Sequence, residues 1–151
     1  MIFDRTAEDV EKAIQIRAQK VQKSQELTNE DVLALERGTL TINTLNRIET
    51  RTGVLNELFE EDKYFVEDII TKLWDYTDFF KQVDFDRIVE NVKKLVKAYI
   101  VYDYTPQIKD NNFSKYQTLN TIEKILHDLD VMISDVKSHY RECGAYECGG
   151  E

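Results

Sequence analysis

The sequence predicts a mainly α protein, a compact helical bundle of two related helical halves with a minor β element. Three observations carry that reading. From Tyr116 to Tyr140 the apolar residues Leu119, Ile122, Leu126, Leu129, Ile133, Val136 and Tyr140 alternate spacings of three and four. Such a period draws one continuous stripe along an α-helix, and Ile125 and Met132 widen it enough to meet more than one partner. The opening of this stretch, Thr118-Leu119-Asn120-Thr121-Ile122-Glu123, echoes Thr44-Leu45-Asn46-Arg47-Ile48-Glu49 at an offset of 74. At the same offset Leu129, Met132 and Ile133 answer Leu55, Leu58 and Phe59. Finally, one proline and five glycines in 151 residues leave few places where a helix must break.

In chain order, Thr6-Ala7-Glu8-Asp9 reads as a capping box with Asp in place of Glu. The hydroxyl accepts a free backbone N–H, and the acids face the positive end of the helix. The helix it starts runs from Ala7 to about Lys23, with Val10, Ala13, Ile14, Ile16, Ala18 and Val21 as a small-residue stripe. Thr28-Asn29-Glu30-Asp31 repeats the signal before a short helix over Val32 to Arg37. Gly38 is expected to stop that helix in a left-handed conformation. A third helix spans Asn43 to Phe59, with Leu45, Ile48, Leu55, Leu58 and Phe59 inward. Gly53 in its middle marks either a close contact or a tolerated glycine.

The connector at 62–82 looks least helical. Tyr64-Phe65-Val66 and Ile69-Ile70-Thr71 favour strands, so an extended run over Tyr64 to Leu73 is expected, then a loop. A fourth helix follows from Val83 to about Val101, with Phe85, Ile88, Val89, Val92, Leu95, Val96, Tyr99 and Ile100 on one face. Pro106 and Asp110-Asn111-Asn112 break the chain before the long last helix. The tail at 142–151 is expected to pair as a small hairpin about Gly144 to Gly149, completing the β element with the connector. The simplest organisation is one domain over 1–151, with helical halves at 1–61 and 83–141.

Composition narrows the function. A net charge of −9 and a pI near 4.8 leave no basic stretch able to displace the counterions of a nucleic acid. Lys93, Lys94 and Lys97 cluster on the polar face of a striped helix, where solvent is the expected neighbour. No apolar run approaches the length of a membrane span, and the first residues have no signal-peptide core. A second echo is weaker: Phe3-Asp4-Arg5 matches Phe85-Asp86-Arg87, an offset of 82. The different offset requires an insertion or deletion between the echoes, so ancestry and coincidence both account for it.

Several of these motifs also occur together elsewhere. Asp4-Arg5-Thr6 with Asp9-Val10, Leu45-Asn46-Arg47-Ile48-Glu49, Trp74-Asp75, Arg87-Ile88 with Asn91, Asn120 with Ile122-Glu123, Leu126-His127-Asp128-Leu129-Asp130 and the glycine-containing tail appear in that order. In this the chain resembles a family of small proteins and domains encoded in the tail modules of phages and prophages of Firmicutes. The resemblance covers nearly the whole chain. It departs in the linker between the last two helices, often proline-rich in the family and holding only Pro106 here. The family implies a virion structural or tail-associated role, not a mechanism.

No residue set points firmly to catalysis, a cofactor or a metal. Asp128, Asp130 and Asp135 scatter round their helix and are expected on a solvated surface. His127, beside Asp128 and Glu123, is expected exposed and paired with a carboxylate. His139, Cys143 and Cys148 offer three zinc ligands at unusual spacing with no evident fourth. The two cysteines are expected as free thiols, a disulfide across the hairpin being the alternative in a virion outside the cell. Ser24, Ser114, Ser134 and Ser138 lie in no nucleophile elbow, and no glycine-rich phosphate loop occurs.

The aromatic residues remain. Trp74, Tyr76, Phe79, Phe80, Tyr102, Tyr104 and Tyr146 are the candidate interface, since aromatics flanked by acids recur at protein contacts. The competing reading makes Trp74, Phe79 and Phe80 a plug at the end of the bundle. The sequence thus suggests a non-enzymatic phage tail component, of the baseplate or tail fibre. Its expected partners are other virion proteins or further copies of itself, with no nucleic acid, no membrane and no cofactor. Two competing classes are a small acidic regulatory or inhibitory binding protein and a carbohydrate-active enzyme using the aromatic patch.

Overall fold

The structure, a computed structural model, describes the backbone of residues 1–144 and the side chains of residues 1–139. Five α-helices are present among them: α1 (Ala7–Ile16), α2 (Asn29–Gly38), α3 (Ile42–Glu61), α4 (Gln82–Ala98) and α5 (Tyr116–Gly144). A π-helical stretch, Arg17–Val21, prolongs α1. The chain turns back at Ser24, which takes a left-handed φ of 51°. The helices group in two ways. α1 and α2 form a hairpin that packs chiefly on itself, while α3, α4 and α5 pack on one another as a three-helix bundle.

Both capping boxes form. Thr6 Oγ1 accepts the Asp9 N–H at 3.2 Å, and Asp9 Oδ2 accepts that of Thr6 at 2.8 Å. Thr28 and Asp31 repeat this at 3.3 and 2.8 Å. Helix α2 therefore starts at Asn29 and is longer than its apolar residues suggested. Gly38 closes it with helical φ, not a left-handed one. Glycine is needed there for proximity: a Cβ at Gly38 would stand 2.1 Å from the Asp9 carbonyl oxygen and 2.4 Å from the Ala13 Cβ. The stripe expected on α1 also splits, since only Ala13 and Ile16 are buried and Ile14 and Val21 face outward.

The bundle follows the periodicity closely. Leu119, Ile122, Ile125, Leu126, Leu129 and Ile133 of α5 meet Leu45, Ile48, Leu55 and Phe59 of α3, and Phe85, Ile88, Val89, Val92 and Leu95 of α4, in one core. Helix α3 ends in a Schellman motif. Tyr64 N–H bonds the Phe59 carbonyl at 2.8 Å and Lys63 N–H that of Glu60 at 3.0 Å, with Lys63 left-handed at φ 63°. Gly53 proves a plain tolerated glycine, the nearest neighbour of a new Cβ being Thr71 at 3.8 Å. Helix α4 stops at Ala98, three residues early. Tyr99 is already extended, which leaves Ile100 pointing to solvent.

The minor β element is not seen among the described residues. The connector is extended without a partner strand because side chains take its backbone bonds. Asn91 Nδ2 donates to the Ile70 carbonyl at 2.8 Å, Lys94 Nζ to that of Asp68 at 2.7 Å, and Arg87 also reaches Ile70. Of its β-favouring residues Val66 and Ile69 lean on the core and Tyr64 meets Phe59 edge to face at 6.1 Å, while Phe65, Ile70 and Leu73 are exposed. At the other end, α5 continues through Gly144, where the hairpin was expected to begin; the rest of that expected hairpin lies outside the described residues.

Candidate functional site

Two buried carboxylates organise the interior. In α3, Asn46 and Glu49 lie one turn apart, and in α5 Asn120 and Glu123 repeat that spacing. Each asparagine grips the backbone of one extended residue. Asn120 accepts from Arg5 N–H at 3.2 Å and donates to its carbonyl at 2.9 Å. Asn46 accepts from Trp74 N–H at 2.7 Å and donates to its carbonyl at 2.9 Å. The side chain of the gripped residue then reaches the glutamate. Arg5 Nη1 bonds Glu123 at 2.5 Å, and Trp74 Nε1 bonds Glu49 at 3.2 Å. A further arginine completes each cluster: Arg47 from α3 at 2.8 Å from Glu123, and Arg87 from α4 forked onto both oxygens of Glu49. The two echoing helices thus use the same pair of side chains in the same way.

The clusters differ in charge. Glu49 faces one arginine, so its pair is neutral. Glu123 faces two arginines, the buried Arg5 and the partly exposed Arg47, so its cluster carries one positive charge more than that of Glu49. Arg5 is 3% exposed, and its Nε and Nη2 have no hydrogen-bond partner. Those two atoms form one edge of the guanidinium, the edge that meets a carboxylate or phosphate with two parallel bonds.

Arg5 also lines a cleft of about 450 Å³ between the hairpin and the bundle. One wall comes from Val10 and Ile14 of α1, the other from Leu40, Phe80, Phe113 and Tyr116. Arg17 and Arg37 add positive charge at its margin and Asp75 and Asp78 negative charge. Most of these charges already have partners. Arg37 pairs with Asp9 at 3.2 Å and Asp4 at 3.3 Å, holding the Asp9 carboxyl below its ordinary range. Asp78 pairs with Lys72 at 2.5 Å, and Asp75 caps its own turn through Thr77.

The aromatic residues separate into two groups. Trp74 is 3% exposed, and Phe80 leans on it edge to face at 5.3 Å and on Phe113 at 5.6 Å. These two plug the end of the bundle, and Trp74 borders the cleft with almost no exposed surface. Tyr76 and Phe79 are almost fully exposed beside them. Tyr102 and Tyr104 stack at 4.9 Å with planes 9° apart; Tyr104 is exposed, and Tyr102 donates its hydroxyl to Asp135 at 3.1 Å. Tyr146 lies outside the described residues.

Other expectations need correction. Asp128 is buried, not solvated, because Thr105 Oγ1 donates to it at 2.9 Å and Lys124 pairs with it, pinning the last linker to α5. Asp130 pairs with Arg51, and Asp135 is exposed. His127 is half-buried with its ring stacked on Phe3 at 5.1 Å instead of paired with an acid. His139 is exposed, while the side chains of Cys143 and Cys148 lie outside the described residues. Among the described residues no group of three or more His, Cys, Asp or Glu is placed to hold a metal ion, and no helix is long and apolar enough to cross a membrane. Comparison with protein-family models, curated proteins and solved structures found no match.

Proposed function

We propose that this protein is a non-enzymatic virion structural component of a phage tail, an adaptor of the baseplate or tail fibre that works through protein–protein contacts. The α1–α2 hairpin supports the adaptor part of this reading. It buries only Ala13, Ile16 and Ala34 while exposing Ile14, Val21, Leu27, Val32 and Leu33, the last at 61%. Ten-residue helices with so small a core gain stability by packing against something else. A rigid bundle carrying such an arm loses little entropy on docking, and copies set in the rotational symmetry of a tail would present the arm repeatedly. The tail assignment rests on the resemblance of the ordered motifs. The protein would be made in the bacterial host cytoplasm and end in the virion.

The test is peptide mass spectrometry on gradient-purified particles of the producing phage or prophage, with copy number counted against the major tail protein. Stoichiometric peptides in a multiple of three or six are expected. Absence from particles alongside abundance in the lysate would overturn the proposal in favour of a small acidic regulatory binder.

A further inference from the structure

We propose that the cleft between the hairpin and the bundle receives a carboxylate flanked by apolar side chains, an Asp or Glu on a partner protein, and that Arg5 is its receptor. This deepens the adaptor reading and rests on it. The observation behind it is the unequal charge of the two interior clusters. A buried guanidinium that spends Nη1 on Glu123, Asn120 and the Ile2 carbonyl leaves Nε and Nη2 without acceptors. Desolvated donors of this kind are costly when unmade, and the cost is larger for a charged group. In the sister cluster the corresponding position holds Trp74, whose one donor is satisfied by Glu49. Arg5 and Trp74 both line the cleft, and of the two clusters only that of Glu123 has buried donors without acceptors.

The chemistry of the walls narrows the occupant. Val10, Ile14, Leu40, Phe80 and Phe113 offer apolar contact on both sides of the arginine. Asp75 and Asp78 stand at the rim, where they repel a multiply charged phosphate more than a single carboxylate. The free edge of Arg5 matches the two oxygens of a carboxylate in one plane. A peptide with a glutamate between leucines satisfies all three conditions. Because Nε and Nη2 are themselves buried, docking requires the cleft to open slightly around Arg5.

Trp74 is the single tryptophan of the chain and lines this cleft, so its fluorescence reports on occupancy. The experiment titrates the full chain with acetyl-Leu-Glu-Leu-amide, with its isosteric glutamine counterpart and with inorganic phosphate. The expected result is a saturable change with the glutamate peptide at about tenfold or greater preference over glutamine, as a charge-assisted bidentate bond requires. Arg5→Lys, which keeps the charge and loses the fork, should remove that preference. Ile14→Glu, an exposed rim change that leaves the fold intact, should weaken the glutamate peptide by a similar factor. Equal affinity for the two peptides overturns the proposal, as does saturable phosphate binding without peptide binding. Absence of any saturable response overturns it too, while the adaptor reading is decided separately by particle composition.

Discussion

The hairpin and the bundle are both helical, yet different forces hold them. Among the described residues sixteen buried apolar side chains form the bundle core, and the hairpin contributes none of them. Its own interior is two alanines and an isoleucine. What fixes the hairpin instead is local and polar: two capping boxes, the Lys20–Asp31 pair at 2.5 Å, the Arg37–Asp9 pair and one glycine at the helix crossing. The bundle is held by burial, and its polar groups are interior keys that set which residues of the extended segments meet which helix. With so unequal a share of buried apolar residues, the hairpin is expected to open at a lower free energy than the bundle.

The largest expected effect sharpens this contrast from the bundle side. Glu123→Ala leaves Arg5 buried without its partner and should cost about 3–5 kcal/mol of global stability, read as a lowered urea midpoint. An unchanged midpoint would mean that the cluster is dispensable. Gly38→Ala tests the hairpin. Its new Cβ meets backbone at a distance no side-chain rotation relieves, so about 1–3 kcal/mol of local stability should be lost. Hydrogen exchange should show faster opening over α1 and α2 with α3 to α5 unchanged; uniform loss would erase the distinction between the two units. Gly53→Ala moves the other way. With Thr71 at ordinary contact distance, the helix gains about 1 kcal/mol, seen as a raised melting temperature.

Acid should separate the units as well. Asp31 is pulled down to about 2 by Lys20 first and by the Thr28 backbone and hydroxyl next, and Arg37 lowers Asp9. A carboxylate depressed in the folded state stabilises it above the unfolded value of 3.8, and that contribution is lost as pH falls through about 2. Exchange protection in α1 and α2 should therefore decline across that window. Retained protection at pH 2 would show that the caps and pairs do not hold the hairpin.

Much of the bundle was legible in the sequence because burial imposes a period. The α5 stripe, the inward faces of α3 and α4 and both capping boxes are local signals, and they survive folding. The connector was misleading because β propensity in Tyr64 to Thr71 describes side-chain shape and says nothing about a partner strand, and here asparagine, lysine and arginine side chains serve as the partner. The carboxylate clusters were half visible. The repeat of Leu-Asn-x-Ile-Glu was evident, and so was the Arg5 and Arg87 echo, but a glutamate on a helix reads as polar surface until the tertiary structure brings two arginines to it. Asp128 misled for the same reason. Trp74 was conspicuous by type, and the reading of a plug at the bundle end holds for Trp74 and Phe80 but not for Phe79, which is exposed.

The crossed pairing of these clusters has a consequence for synthesis on the ribosome. Trp74 follows its partner Glu49 by 25 residues, and Arg87 follows it by 38, so that lock closes soon after α4 emerges. Arg5 precedes its partner Glu123 by 118 residues. Vectorial translation therefore orders the two events, and the segment carrying Arg5 remains unlatched until Glu123 of α5 emerges.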